Sequence, residues 1–255
     1  MLVDSHCHLD APGFDPDRDA VIARARAAGV MHQVVPATHA DAWPKLREVC
    51  AAVPGLHATY GLHPTFLAHH RPADLDALAE WIERERPVAV GECGLDHFVE
   101  GLDRDAQLHF FEGQLALAQR HDLPVIVHAR RAVEETIALL RRFDGLRGVV
   151  HSFSGSPEQA RQLWKIGFHI GLGGPLTYAR ARRLHRVAAE VPIEQLLLET
   201  DAPDQPDVDH RGMRNEPSRL TRICDVVATL RGVDVADIAA QTTRNALALF
   251  RISAV

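Results

Sequence analysis

Leu2-Val3-Asp4-Ser5-His6-Cys7-His8 starts as a β-forming run and ends on two histidines two residues apart. That ending decides the fold. Along the whole chain, short apolar or β-branched runs alternate with longer amphipathic segments, the rhythm of βα units around a parallel sheet. Two architectures share this rhythm. A doubly wound open sheet is expected to carry a glycine-rich phosphate turn after its first strand, but here that turn is His6-Cys7-His8. A closed barrel typically needs ~250 residues and gathers its chemistry at the C-terminal ends of its strands, which suits a chain of 255 residues. The sequence therefore predicts an α/β protein: a (β/α)8 TIM barrel, one domain over residues 1–255, with an extra C-terminal helix.

Strands are expected at Leu2–His6, Met31–Pro36, His57–Gly61, Val88–Glu92, Val125–His128, Gly148–His151, Phe168–Leu172 and Leu196–Glu199. Helices are expected at Asp15–Ala28, Asp41–Ala52, Ala73–Glu85, Asp103–His121, Arg131–Phe143, Pro157–Ile166 and Ala179–Glu190, then Pro217–Leu230 and Val235–Phe250 beyond a Pro- and Asp-rich loop. Ser156-Pro157 reads as a helix start, and Gly29 and Gly167 as helix ends. No linker or composition break divides the chain.

Composition narrows the class further. With 46% hydrophobic and 24% charged residues, the chain resembles ordinary globular proteins and is expected to bury a core. A net charge of −6 argues against a surface that is basic everywhere, though it leaves room for a local basic groove. Nothing reads as a signal peptide or a membrane span. Cys7, Cys50, Cys93 and Cys224 lie far apart without a CxxC pair, which suits a reducing compartment, so a cytoplasmic location is expected.

His6, His8, Glu92, His128, His151 and Asp201 all fall at or just beyond expected strand ends. Alternation in a strand points His6 and His8 the same way, and likewise Glu199 and Asp201. Four imidazoles and two carboxylates at one barrel mouth are costly to bury without compensating charge. A metal centre supplies it. Nitrogen and oxygen ligands without thiolate fit Zn, Mn, Fe or Co, with Mg reached through the carboxylates. The ligands are too many for one tetrahedral ion. Two divalent ions bridged by Glu92 are the economical arrangement, one on His6, His8 and Asp201 and the other on His128 and His151. Such a pair suits phosphodiester hydrolysis by an activated water, with Asp201 and Glu92 as the catalytic carboxylates.

With these motifs in place, the chain resembles the TatD-type metal-dependent deoxyribonucleases, a branch of the amidohydrolase-like barrels. The matching segments are Val3–Asp10, Gly61-Leu62-His63-Pro64, Gly91–Asp96, Leu123–His128, Val150–Gly155 and Leu198–Pro203, followed by Arg214-Asn215-Glu216-Pro217 and Thr243-Arg244-Asn245. The resemblance spans nearly the whole chain. It implies metal ligands at the residues already chosen and divalent-metal-dependent, often exonucleolytic, cleavage of DNA. Two positions depart from the family pattern: His97 stands where many members carry an aromatic, and Ala179 where a proline is common.

Further residues are expected to act near the ligands. His63 and Glu199 are candidates for fixing a ligand's orientation or touching substrate, as is Asp96 for the loop after Glu92. Asp4 shares the face of His6. Arg130, Arg180, Arg211 and Arg214 fall in loops on the catalytic side, where a guanidinium fork suits phosphate. DNA, taken as single strands or ends, is the expected substrate, with no membrane and no obligate protein partner. The alternatives are hydrolysis of a small lactone, amide or phosphoester on the same site, and a barrel that binds metal without catalysis.

Overall fold

The computed structural model describes residues 1–253, so the last two residues of the expected domain lie outside the described residues. All eight expected strands form: β1 (Leu2–Asp4), β2 (Val30–Pro36), β3 (Leu56–Thr59), β4 (Val90–Asp96), β5 (Val125–Arg130), β6 (Gly148–Val150), β7 (Phe168–Leu172) and β8 (Leu196–Leu198). β1 to β3 pair in parallel as one run, and β4 to β8 as another. Backbone hydrogen bonds close both seams. At the first, Gly91 N–H donates to the Tyr60 carbonyl at 2.9 Å beside a Tyr60–Val90 bridge. At the second, Ser5 N–H donates to Leu198 at 3.0 Å and Asp201 N–H to His6 at 2.9 Å. The result is a TIM barrel.

Its outer layer is α1 (Arg18–Ala27), α2 (Trp43–Ala52), α3 (Asp74–Glu85), α4 (Arg104–Arg120), α5 (Val133–Leu140), α6 (Pro157–Lys165), α7 (Arg182–Glu190) and α8 (Leu220–Arg231). Local chemistry sets several starts. Ser156 and Gln159 form a reciprocal capping box on α6 with Pro157 in its first turn, and the Asp103 carboxylate caps α4 through the Asp105 and Ala106 amides. α5 begins at Val133, two residues later than expected, because Arg131 adopts a left-handed conformation with φ 55°. Among the described residues, no helix is long and apolar enough to cross a membrane.

β4 and β5 depart most from expectation. The fourth and fifth strands are expected to end at Glu92 and His128, yet β4 continues to Asp96 and pairs with β5 from Cys93↔Val127 through Asp96↔Arg130. The physical reason is close approach. Gly94 has φ 140°, and a Cβ there would collide with the carbonyl of His128, so a glycine is required where the two strands converge. Glu92 and His128 consequently lie inside strands and not at their tips.

The extra helix, α9 (Val235–Phe250), seals the far end of the barrel. Inward-facing Val3, Val34, Ala89, Ile126, Val149 and Leu197 form a cluster with its Ala246, Leu249 and Phe250. Polar side chains of the same helix fix its seat. Asn245 donates to the Ile193 and Leu196 carbonyls at 2.8 and 2.9 Å, and Thr243 to Met1 at 3.0 Å. On β2 and β3, the imidazoles of His32 and His57 meet at 3.0 Å. Val34 separates His32 from the catalytic end of its strand by the same alternation that turns both inward.

Candidate metal centre

Five imidazoles converge on Glu92, and its two carboxylate oxygens divide them. Oε1 lies 2.8 Å from His151 Nε2, 3.0 Å from His63 Nε2 and 3.1 Å from His128 Nδ1. Oε2 lies 3.1 Å from His6 Nε2 and 3.6 Å from His8 Nε2. Asp201 adds its Oδ1 to the second lobe, at 3.5 Å from His6 and 3.6 Å from His8. Three nitrogens around one oxygen are more than its lone pairs serve well, and the Nε2 atoms of His6 and His8 face each other at 3.3 Å. Buried imidazole and carboxylate donors packed this way fit divalent cations. His6–His8–Glu92, His63–Glu92–His128 and His6–His151–Glu199 each bring three ligand atoms within 4.8 Å of one another.

The surrounding chain fixes these rings. Asp4, fully buried at the end of β1, accepts hydrogen bonds from Thr200 N–H at 3.0 Å, Thr200 Oγ1 at 2.6 Å and His6 N–H at 3.2 Å. It thereby ties the strand carrying His6 to the segment carrying Asp201. Asp201 itself is left-handed, with φ 55°, a conformation held by the cross-strand bond to His6 and by Gln205, whose amide donates to its Oδ2. Asn215 secures that loop from behind through the Thr200 and Asp204 carbonyls at 2.8 and 2.9 Å. His8 bonds the Pro36 carbonyl through Nδ1 at 3.1 Å, leaving Nε2 for the centre. Asp96 holds His128 Nε2 at 2.9 Å, so its Nδ1 faces Glu92. Glu199 sits beneath His151 at 3.8 Å, in space that a Cβ on Gly171 would fill, and accepts the Ser152 amide.

Electrostatics follow from burying so much charge. For Glu92, burial alone favours the neutral acid, but the imidazoles of His151, His63 and His6 overcome it and hold the carboxyl well below its usual range. Burial opposes a charge on His151 as well, yet Glu92 pushes it up to about 10. Burial drives His6 well below an ordinary histidine and His63 down to about 4. It raises Asp201, lifts Asp4 to about 7 and lifts Glu199 to about 8. Burial thus shifts Asp4, Asp201 and Glu199 toward their neutral forms, while the surrounding imidazoles keep Glu92 ionised.

Above the centre opens a cavity of about 970 Å³, with His8, His63, Glu92, His128, His151 and Asp201 in its lining. Arg130 lines it too. The other expected arginines are placed elsewhere. Arg214 is ion-paired with Asp17 at 2.7 Å and bonded to the Gly13 carbonyl at 2.6 Å, while Arg180 and Arg211 lie outside the lining. His97 points to Glu135 at 3.7 Å. His63, expected beside the ligands, stands as near to Glu92 as His128 does. Gln205, Phe66, His39 and Lys45 also line the cavity, and sequence reasoning missed all four. A Gln four residues after Asp201 or a lone Phe carries no metal-binding signal, and only the loop geometry reveals it.

Comparison with known proteins gives a consistent result. The family model described as TatD related DNase matches residues 3–251. An uncharacterized metal-dependent hydrolase of Escherichia coli K12, YjjV, is 40% identical over 98% of both chains. The crystal structure of that TatD homolog superposes with a TM-score of 0.95, covering 99% of this chain and 98% of the other. Human deoxyribonuclease TATDN3 is 32% identical over 98% of this chain and 94% of its own.

Proposed function

Because this chain belongs to the TatD family of metal-dependent hydrolases, we propose that its barrel mouth hydrolyses phosphodiester bonds in DNA, using two divalent ions and water as nucleophile. The observation that carries this reading is the division of five imidazoles and Asp201 between the two oxygens of buried Glu92. His6, His8 and Asp201 would hold one ion and His128 and His151 the other, with Glu92 placed to reach both. His63 is close enough to Glu92 to join the second set. When bound, ions of the Mg, Mn or Zn kind supply Lewis acidity to the phosphoryl oxygens and lower the pKa of water toward ~7.

The side chains do the rest. Asp201 keeps one oxygen toward His6 and His8 and the other on Gln205, the posture of a carboxylate that orients a water and accepts its proton. Asp96 fixes the ring of His128, and Asp4 fixes the backbone that carries His6. Arg130 offers counter-charge to a phosphate entering the cavity. A recessed mouth favours a single strand or a frayed end over an intact duplex. The naming of the human relative as a deoxyribonuclease supports DNA as the substrate.

The test is cleavage of 3′-labelled single-stranded DNA by metal-stripped protein reloaded with Mg, Mn or Zn, with Glu92→Ala as the control. Metal-dependent cleavage by the native chain and a loss of at least ~10³-fold in the variant, with fewer ions bound, are expected. Equal activity in Glu92→Ala would rule out the assigned centre.

A further inference from the structure

Four guanidinium–aromatic stacks occur among the described residues, and two of them are ion pairs as well. Arg84 lies over Trp81 and bonds Glu85 at 2.8 Å; Arg214 lies over Phe14 and bonds Asp17 at 2.7 Å. Arg130 and Arg131 behave differently. Both sit on one ring, that of Phe98, at 3.7 and 4.6 Å from its centroid, and neither has a carboxylate partner within 4.0 Å among the described residues. Phe98 is itself 43% exposed. Two like charges gathered on an exposed ring with no counter-ion repel each other, and an anion relieves that repulsion.

Their position is tied to the centre. Arg130 ends β5 two residues beyond His128 and lines the cavity. Asp96 links the two features with one carboxylate. Its Oδ1 accepts the amides of Phe98 and Val99 at 2.8 and 2.9 Å, while its Oδ2 holds His128 Nε2 at 2.9 Å. The Phe98 turn is therefore set in register with a ring of the centre. A cavity of about 970 Å³ also lies at the upper end of the range for small-ligand sites, leaving room beyond a reacting phosphate.

We propose that Phe98, Arg130 and Arg131 form an anion subsite at the cavity rim, which grips a phosphate of a single nucleic-acid strand neighbouring the one that is cleaved. This rests on the DNA-cleaving reading above and specifies how the strand is held. A guanidinium stacked on a ring keeps its in-plane N–H donors free, and two such forks match the oxygens of a phosphate. The ring also offers apolar surface to a base, as strand-binding proteins do. A small ester would leave all three side chains unused.

The experiment is fluorescence anisotropy of a labelled phosphorothioate (dT)10, which resists cleavage, titrated with metal-loaded full-length protein at several salt concentrations. The double variant Arg130→Gln/Arg131→Gln is expected to bind ~10-fold more weakly, with the slope of log K against log salt reduced by about 1.4, two contacts at ~0.7 each. Phe98→Leu, which leaves both charges but removes their platform, is expected to weaken binding ~5-fold. Native affinity and slope in the double variant would overturn the subsite. So would an equal loss in Arg86→Gln/Arg120→Gln, which removes two exposed arginines beyond α3 and at the end of α4. Unmodified strand that is bound but never cut would count against the DNA-cleaving reading and leave the subsite standing. Strand cut by the double variant with native KM would do the reverse.

Discussion

The two ends of this barrel each bury a pair of imidazoles at hydrogen-bonding distance, and only one end is suited to metal. At the mouth, His6 and His8 meet at 3.3 Å; near the floor, His32 and His57 meet at 3.0 Å. The difference is the carboxylate. Glu92 and Asp201 face the upper pair, whereas the lower pair has no acidic partner among the described residues and rests near the apolar plug of α9. Where Glu92 is present, it pushes His151 up to about 10 despite burial. Where it is absent, burial first, and then the repulsion a protonated His32 would exert, take His57 down to about 4. Histidine alone makes a neutral hydrogen-bonded pair, and a buried anion converts a histidine cluster into a site that calls for cations.

The comparison breaks most sharply at Asp201. Asp201→Asn keeps the shape and the Gln205 contact but removes the proton acceptor, so kcat on single-stranded DNA should fall by about 10³-fold, roughly 4 kcal/mol of barrier. KM should stay within a few-fold, and any fall in metal content by elemental analysis should be confined to the ion assigned to His6 and His8, so kcat is compared at saturating metal. A variant within 5-fold of native kcat would show that the mouth does not use Asp201 as its base.

At the floor, a change of similar size should register in stability and not in turnover. Phe250 is 2% exposed and packs with Leu249 against the inward-facing valines of the barrel. Phe250→Ala is expected to cost about 3 kcal/mol, a fall in melting temperature of roughly 6–12 °C, with cleavage per folded molecule at 25 °C unchanged. A drop in kcat without a drop in melting temperature would mean that the plug communicates with the centre.

Much of this arrangement was readable from residue order, because strand-end histidines and alternation are local signals. His6, His8, His151 and Asp201 follow from them directly. Strand-end placement is only partly the reason Glu92 and His128 face the mouth: they lie within β4 and β5, which run on to Asp96 and Arg130, since closeness between the two strands is a property of the pair and not of either segment. His63 looked secondary because nothing in Gly61-Leu62-His63-Pro64 reveals its 3.0 Å approach to Glu92. Arg214 looked available for phosphate, but its partner Asp17 is nearly two hundred positions away in the chain, beyond any periodicity. The Phe98 stack was equally hidden, because it depends on the Asp96 turn meeting the end of β5.

The smallest expected effect separates the two histidine pairs by pH. His57 is half-buried and folds with a pKa of about 4, below the ordinary 6.5, so the unfolded chain takes up a proton in that interval that the folded chain refuses. Stability from this residue is therefore fully present above pH 6.5 and is lost as pH falls toward 4. Allowing for solvent access, the loss between pH 7.5 and pH 5 is about 1 kcal/mol. His57→Gln cannot take up that proton, yet its amide can still reach His32. Urea unfolding of both proteins at the two pH values isolates the effect, because the groups of the mouth titrate identically in each and cancel in the difference. The acid loss should be smaller in the variant by that ~1 kcal/mol. Parallel losses would mean that His57 is protonated in the fold, and the floor pair would then hold charge as the mouth does.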